Sequence, residues 1–561
     1  MNDNNFIADQ FSLLAKIMDI HGGNSFKSKS YAVAAFNIEK LPLQLSDTPP
    51  DQLAAIKGIG DSASKKIREI LETGKLAVLE DLINDTPPGV LEMLQVKGLG
   101  PKKISTIWKE MEIESLGELL YACNENRLLL YKGFGEKTQR NVQEAIEYYM
   151  QNQGSFLYAA LDELFPAIKT YMEKNFSADA VAVTGAYRRQ DLTIDELEFV
   201  ITKNNSDIKP VFQTAQPPEL LEETDNSLLY KLKNGLKLRL YTGEGNLPEK
   251  LFFTTGPAAF TDAFIKKFPG TDFTPGENHD SVVFTDAGIP AVPAYLRGVT
   301  GILDRISTSG LPAVITEKDI NGIIHTHSNW SDGTNTIEEM AMACMAGGYE
   351  YLVISDHSKS AFYANGLREE RIREQHRYVD ELNEKHKPFR IFKSIECDIL
   401  NDGSLDYTSN ILSTFDLVIA SVHANLKMTE EKAMLRLLNA IQNPYTTILG
   451  HMTGRLLLSR KGYPVDHRKI IEACAAHQVV IELNAHPRRL DMDCTWIQEA
   501  MEKGVLISID PDAHNTAGFN DCRYGVLAAQ KGGLTKEKNL SSFSLQQFED
   551  FLAKRKISRQ I

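Results

Sequence analysis

The chain has 561 residues, of which 42% are apolar and 24% charged, and its 61 basic against 75 acidic residues give a formal net charge of −14. At roughly 100–200 residues per domain this length predicts three or four domains, and the charge excludes a protein held on nucleic acid by bulk positive potential, leaving local basic patches as the route. No apolar run approaches the roughly 20 residues that cross a bilayer.

The N-terminus, MNDNNFIADQ, is polar and acidic, unlike a secretory signal. Residues 1–150 are expected to be helical, with Phe11, Leu14, Ile17 and Met18 at helical spacing. Three stretches resemble one another: LAAIKGIGDSASKKIREI, LEMLQVKGLGPKKISTIWKEM and LLLYKGFGEKTQRNVQEAI. Each sets a Lys-Gly-apolar-Gly turn (Gly58/Gly60, Gly98/Gly100, Gly133/Gly135) before a helix whose start carries Lys65, Lys66, Lys102, Lys103 or Lys137. Glycines permit a tight turn and close approach, and a helix start offers unpaired N–H groups and its positive dipole end to a phosphate. One such turn does no more than close a helical hairpin. Three copies favour contact with a nucleic-acid backbone without reading of bases. The stretches resemble helix-hairpin-helix motifs of DNA repair and replication proteins, which implies DNA as partner, through salt-sensitive contacts to gapped or single-stranded ends. We expect an N-terminal lyase-like helical domain over 1–90 and a fingers-like hairpin region over 91–150.

Residues 181–202, VAVTGAYRRQDLTIDELEFVIT, read as strand, glycine turn, basic segment, strand. The segment resembles nucleotidyltransferases of the family X DNA polymerase type, which have Gly-Ser, two Arg and two Asp one residue apart here. That spacing sets both carboxylates on one strand face, where they share two Mg²⁺ ions. This chain departs at each position. Gly185 precedes Ala186, the acidic pair is Glu196 and Glu198, and the strand GLKLRLYT places Lys237 where a third Asp is expected. An ammonium is no metal ligand. The thumb motif expected as Phe-Thr-Gly-Ser is FFTTGPAAF. The resemblance implies a palm-like core over 151–245 and a thumb-like region over 246–310, with DNA contact left to Arg188 and Arg189 and polymerisation lost or weak. Asp191 and Asp195 take over only if the register differs. By the same resemblance Lys66 stands where a Schiff-base lysine attacks an abasic sugar. The residues alone assign Lys66 to DNA contact.

A linker over 311–320 leads to a C-terminal domain over 321–561. Short apolar runs alternate with helical segments: NGIIHTHSNWSDG, YEYLVISDH, FRIFKSIECDIL, FDLVIASVH, YTTILGHMTGR, VVIELNAHP and VLISIDPDAH. The alternation predicts parallel strands with crossover helices, and seven units predict a closed barrel with its chemistry at the C-terminal strand ends. His325, His327, His357, Glu396, His423, His451, Asp512 and His514 lie at those ends, with Asp332 in the first loop. A single histidine after a strand is ordinarily structural. Of 13 histidines, however, seven lie in these segments. Imidazoles mixed with carboxylates suit Zn²⁺ or Mn²⁺, with Mg²⁺ as an alternative, and nine ligands predict two or three ions. Arg455, Lys359 and Arg488 are candidate phosphate-binding residues. Asp356 and Asp510 neighbour the ligands as candidate partners of the imidazoles.

The region resembles the PHP (polymerase and histidinol phosphatase) family through His325-Thr326-His327, Ser331-Asp332-Gly333, Asp356-His357-Ser358, Glu396, Ser421-Val422-His423, Gly450-His451 and Asp512-Ala513-His514. The resemblance implies one ion on His325, His327, Glu396 and Asp512, a second on Glu396, His423 and His451, and a third near Asp332, His357 and His514.

The expected fold is therefore multidomain: an all-α helix-hairpin-helix region, an α+β nucleotidyltransferase-like core and an α/β PHP barrel of seven strands, a distorted TIM-like form. This order of parts resembles bacterial family X DNA polymerases with a PHP exonuclease domain. It implies a DNA repair protein with Mn²⁺-dependent 3′–5′ exonuclease or abasic-site cleavage. Three other readings are an active polymerase with exonuclease, a phosphatase of a small phosphomonoester, and a non-catalytic DNA-binding scaffold. Six scattered cysteines with no C-x-x-C pair fit a reduced, cytoplasmic protein. We expect a monomer with no membrane contact.

Overall fold

The computed structural model describes residues 4–39, 41, 44–56, 59–96, 98–150, 154–214, 216–273, 279–299 and 301–558. The chain divides into two compact units, 1–124 with 128–150, and 125–127 with 151–561.

The first unit is built of helices, as its periodicity predicts. The longer ones are Asn4–Ile20, Ser25–Glu39, Asp61–Thr73, Ala77–Asn84, Pro101–Lys109, Leu116–Asn124 and Glu136–Met150. Phe11, Leu14 and Ile17 are fully buried in one core with Ile67, Ile70 and Leu79. A second core gathers Val90, Met93, Ile104, Leu119, Val142 and Ile146. Each fully buried Leu, Ile or Phe contributes on the order of 1.5–3 kcal/mol.

The second unit opens with the short antiparallel pair β1 (Phe156–Leu157) and β3 (Thr193–Ile194). A five-stranded sheet follows in the order β2-β4-β7-β6-β5, from β2 (Val181–Thr184), β4 (Glu196–Ile201), β5 (Glu219–Thr224), β6 (Ser227–Lys231) and β7 (Lys237–Tyr241). β4 and β7 run parallel, and the remaining pairs are antiparallel. Phe252, Phe260, Phe264 and Phe284 form a separate apolar cluster.

The C-terminal strands are β8 (Gly322–Thr326), β9 (Tyr351–Ile354), β10 (Arg390–Lys393), β11 (Glu396–Asp398), β12 (Ile419–Ser421), β13 (Ile448–Leu449), β14 (Val480–Asn484) and β15 (Ile507–Asp510). All pair in parallel. Runs such as Tyr351–Ile354 are wholly buried, as parallel strands with both faces covered require. Helices return between strands with explicit starts. At Ile337–Ala346 the Thr336 hydroxyl accepts the Glu339 N–H, and the Glu339 carboxylate accepts the Thr336 N–H, a capping box. In place of one continuous closed ladder there are two sheets, β10-β9-β8 and β11-β12-β13-β14-β15. Single parallel bridges join them, Thr326↔Ala513 from β8 to the residues after β15, and His357↔Glu396 from the residues after β9 to β11. Ser394 and Ile395 part β10 from β11, and within the first sheet the β8–β9 register shifts between Ile323 and Thr326, around His325 at φ +59°. Among the described residues no helix is long and apolar enough to cross a membrane.

Candidate metal centre

Parallel strands ending at one level deliver the polar side chains of their last residues to one place. His325 lies in β8 and His327 just beyond it, while His357, His423 and His451 follow β9, β12 and β13. Glu396 opens β11, and Asp512 and His514 follow β15. Glu396 sits in the middle. Its Oε1 is 3.0 Å from Nε2 of both His423 and His451 and 3.3 Å from Nε2 of His325. Its Oε2 is 3.0 Å from His357 Nδ1 and 3.6 Å from His327 Nε2. Asp512 Oδ1 lies 3.0 Å from His327 Nε2 and 3.5 Å from His325 Nε2. Asp332 Oδ2 is 3.5 Å from Nε2 of both His357 and His514.

These nine side chains are the nine expected as ligands. Their grouping is more interleaved than the expected one: His325, His327 and Asp512; His357, Glu396 and His423; and His327, Asp332, His357 and His514, each with atoms within 4.8 Å of one another. His327 and His357 each belong to two groups, and His451 joins through Glu396.

The donor set fits divalent ions on two counts. Ligands about 2.0–2.2 Å from a tetrahedral ion stand about 3.3–3.6 Å from each other, the spacing of His325 from Glu396 and Asp512, of His327 from Glu396, and of His357 and His514 from Asp332. Further, His325 Nε2, His327 Nδ1, Asp332 Oδ2, Glu396 Oε2 and His514 Nε2 are buried without a hydrogen bond. Buried polar atoms without partners are costly, and buried charges are paired or coordinate metals. Without ions the carboxylates hold protons on their neighbours. Burial opposes ionisation of Glu396, yet His423, His325 and His357 hold it well below the usual carboxylate range. Burial likewise lowers His423 and His514, but Glu396 and Asp398 bring the first to about 9, and Asp332 does the same for the second. His327 is lowered by burial and by His514 and His357.

Backbone conformation contributes too. His325 and Asp512 both adopt left-handed φ, +59° and +53°, a region that costs non-glycine residues on the order of 1 kcal/mol and clusters at functional sites. The bonds between these segments, His327 N–H to the Ala513 carbonyl at 2.9 Å and Ala513 N–H to the His325 carbonyl at 3.3 Å, pin them together. Gly333 is required by close approach, since a Cβ there would meet the His327 carbonyl at 2.2 Å.

Two buried carboxylates that orient imidazoles escaped the sequence reading. Glu482 lies 2.5 Å from His325 Nδ1 and accepts the His451 N–H at 2.9 Å. Asp398 lies 2.9 Å from His423 Nδ1. The only signal for Glu482 was an acidic residue inside the apolar run VVIELN. Asp356 and Asp510, expected in this role, act elsewhere. Asp356 accepts from Ser328 N–H, Ser328 Oγ and Gln375 Nε2, holding the first loop. Asp510 accepts the Ser508 hydroxyl.

The expected phosphate-binding cations are placed differently from the sequence reading. Arg455 donates to Asp493 at 2.5 Å and to the carbonyls of Arg489 and Leu490, so it shapes the loop after β14 rather than reaching outward. Lys359 pairs at 3.4 Å with Glu369. Arg488 is half-buried, and its N–H donates to His486 Nδ1. Arg489, not singled out from sequence, is buried with Nε 3.6 Å from Asp512 Oδ2.

In the helical unit Gly60, Gly100 and Gly135 immediately precede the helices Asp61–Thr73, Pro101–Lys109 and Glu136–Met150. Gly98 and Gly133 take φ of +94° and +98°, which L-residues rarely adopt. A Cβ at any of these five would face open space. Gly58 lies outside the described residues. Lys65, Lys102 and Lys137 are exposed, and Lys103 is half-buried. Lys66 Nζ is 5.6 Å from the Tyr31 ring centroid. A groove of about 440 Å³ runs beside Lys27, Lys29, Tyr31 and Gly60.

Comparison with known proteins agrees with this division. A helix-hairpin-helix domain model matches residues 2–76, and a SAM-like helix-hairpin-helix tandem model matches residues 90–147. The DNA polymerase/3′–5′ exonuclease PolX of Bacillus subtilis is 31% identical over 559 residues, covering 96% of this chain and 97% of that protein. The chain belongs to the PolX family. Its C-terminal part is also similar to a probable phosphatase of Thermoanaerobacter sp., 26% identical over 249 residues, 41% of this chain and 94% of that protein. The crystal structure of histidinol phosphate phosphatase from Lactococcus lactis, complexed with zinc, L-histidinol and phosphate, covers 38% of this chain at 19% identity and a TM-score of 0.31, too low a likeness to build on. In this PolX-family chain the helical unit binds DNA, and the C-terminal strand ends form a site for divalent metal.

Proposed function

We propose that this chain is a DNA repair protein whose PHP domain, residues 321–561, hydrolyses DNA phosphodiesters as a 3′–5′ exonuclease, with abasic-site cleavage as a second use of the same site. The observation that carries the reading is the convergence of six imidazoles and three carboxylates around Glu396, with buried atoms such as His325 Nε2, Asp332 Oδ2 and Glu396 Oε2 left without a hydrogen bond. The full-length relation to the Bacillus enzyme supports DNA as substrate. We assign two or three Mn²⁺ or Zn²⁺ ions to the nine side chains, with Mg²⁺ as an alternative. Such ions, when bound, supply Lewis-acid polarisation of a phosphoryl oxygen and of water. The protein's own part is orientation. Glu482 and Asp398 fix which imidazole nitrogen faces Glu396, and Asp356 holds the Asp332 loop in place. Arg489 sets positive charge beside Asp512, with its Nη2 4.0 Å from Glu125 as well, and Arg455 holds the loop that carries it.

The hairpin glycines and Lys65, Lys102, Lys103 and Lys137 grip the DNA backbone, with 1–90, 91–150, 151–245 and 246–310 as lyase-, fingers-, palm- and thumb-like parts. All six cysteines are free and buried, which supports a reducing cytoplasm, and we take the protein as a monomer. Nucleotide transfer is lost or weak, because Glu196 and Glu198 lack a third carboxylate.

The test gives the purified protein single-stranded and primed DNA with Mn²⁺, with and without nucleotides. Hydrolysis abolished by Asp512→Ala or His451→Ala supports the reading, whereas unbroken hydrolysis rejects it in favour of a scaffold with structural metals. Robust templated extension, lost on changing Glu196 and Glu198, restores the active-polymerase reading. A small phosphomonoester turned over far faster than DNA makes the protein a phosphatase. The hairpins argue against that outcome, since a small substrate needs no backbone grip.

A further inference from the structure

One group of charged side chains belongs neither to the hairpins nor to the metal centre. Glu196 and Glu198 occupy alternate positions on one face of β4, opposite Lys237 and Arg239 of the parallel neighbour β7. Two carboxylates at this spacing serve a divalent ion when further oxygen donors and open coordination positions face them. Here protein fills that space. Lys237, read from sequence as standing where a third Asp is expected, pairs opposite Glu196, but the side chain that reaches the carboxylate is Arg239. Its Nε is 2.5 Å from Glu196 Oε2 and its Nη2 3.3 Å from Oε1, a two-pronged ion pair. The third nitrogen, Nη1, reaches Glu222 Oε1 at 3.3 Å.

Glu198 turns the other way. Its Oε1 accepts the Ala186 N–H at 3.1 Å, and its Oε2 accepts the Tyr241 hydroxyl at 2.9 Å. The carboxylate rests on Gly185, at φ +63°, where a Cβ would meet Oε1 at 1.8 Å. It therefore takes the backbone N–H of this turn and lays a negative charge over it. The basic pair beside the turn is spent as well. Arg188 donates to Asp280 at 2.7 and 2.9 Å and to Thr255 at 2.6 Å. Arg189 holds Asp191 at 2.7 Å and the Thr255 carbonyl at 2.9 Å. Asp191 is further held by Lys531 at 2.7 Å, and Asp195 accepts the Ser155 hydroxyl. Neither aspartate joins the glutamate pair, and neither arginine is left for DNA.

We infer that the Arg239 guanidinium is the resident counter-ion of Glu196, standing where a divalent cation would have to bind, and that this sheet takes up no metal. This deepens the reading that nucleotide transfer is lost by naming the group that excludes it. An arginine is charged at any working pH and covalently fixed, so an ion at low concentration has to expel it from a two-pronged pair and also draw Glu198 off its turn. Magnesium, which demands near-octahedral oxygen ligands, has the least to gain.

The test counts Mn²⁺ per chain at micromolar metal on the full-length protein by electron paramagnetic resonance, with circular dichroism as the check on folding. Glu196→Gln/Glu198→Gln is expected to hold as many ions as the parent, both in the intact chain and in a Glu396→Ala background where the C-terminal centre is dismantled. Loss of an ion on changing the two glutamates, in either background, overturns the inference. Arg239→Gln, which keeps bulk and hydrogen bonding but removes the charge, is expected to gain about one Mn²⁺ per chain, and that gain vanishes when Glu196→Gln is added. An unchanged count in Arg239→Gln shows that the guanidinium is not what excludes metal. Each count is a difference between chains with the same C-terminal region, so it stands apart from whether that region hydrolyses DNA.

Discussion

Glu482 and His325 form the tightest carboxylate–imidazole contact behind the metal centre: Glu482 Oε2 lies 2.5 Å from His325 Nδ1, which turns His325 Nε2 toward Glu396 and Asp512. The same carboxylate accepts the His451 N–H through Oε1, so one buried group fixes two candidate ligands. Glu482→Gln keeps the shape but removes the charge. It is expected to weaken metal retention about 10–100-fold, read as faster loss of Mn²⁺ to a chelator. Unchanged retention rejects the orienting role.

Arg489 and Arg455 divide the work of one loop. Arg489→Ala is expected to lower hydrolysis of single-stranded DNA by about 10–100-fold, the scale of a lost charge-assisted contact. Arg455 acts through its bonds to Asp493 and to two backbone carbonyls. Arg455→Lys should therefore fail to rescue, because an ammonium cannot span three acceptors in a plane. Near-parent kinetics for Arg455→Lys contradict this.

The metal-free chain should respond to pH with a definite sign. His423 and His514 stand at about 9 against an ordinary 6.5. Their folded-state values are raised, so the stability they contribute is complete below 6.5 and is lost as pH rises through about 9. The melting temperature of metal-stripped protein is expected to fall across that window, and that of metal-loaded protein to change little, because ions replace the protons. Loading at pH 7 should release protons, measurable in weakly buffered solution. A stripped protein that gains stability between pH 6.5 and 9 contradicts the assignment.

The hairpins predict a salt effect. Lys102→Ala/Lys103→Ala should weaken DNA binding alike across sequences. It should also flatten the plot of log affinity against log salt, by about 0.7 for each lost contact to a single strand. A change confined to particular base sequences speaks against backbone contact.

Much of the architecture was legible because its signals are local. The repeated glycine turns need left-handed backbone at Gly98 and Gly133, and a requirement of that kind appears directly in the residue type. The eight ligands at strand ends were visible for a similar reason, since strand–helix alternation alone sends them to one level. What stayed hidden depends on which side chains meet. Arg455 and Arg489 are both arginines on loops, and only the fold shows one turned to Asp493 and the other to Asp512. Arg239 sits two residues beyond Lys237 on the same strand face, and side-chain reach, which spacing does not encode, decides that Arg239 meets Glu196. The break between β10 and β11 at Ser394-Ile395 and the register shift beside His325 are features to which apolar runs are blind.

The central claim is that the C-terminal cluster holds the ions that cleave DNA. Elemental analysis of the purified protein, paired with a nuclease assay of His325→Ala, tests it most directly. The account predicts two or three divalent ions per chain in the parent, at least one fewer in the variant, and a fall of 100-fold or more in Mn²⁺-dependent degradation of single-stranded DNA. A variant that binds fewer ions yet degrades DNA at the parent rate contradicts it.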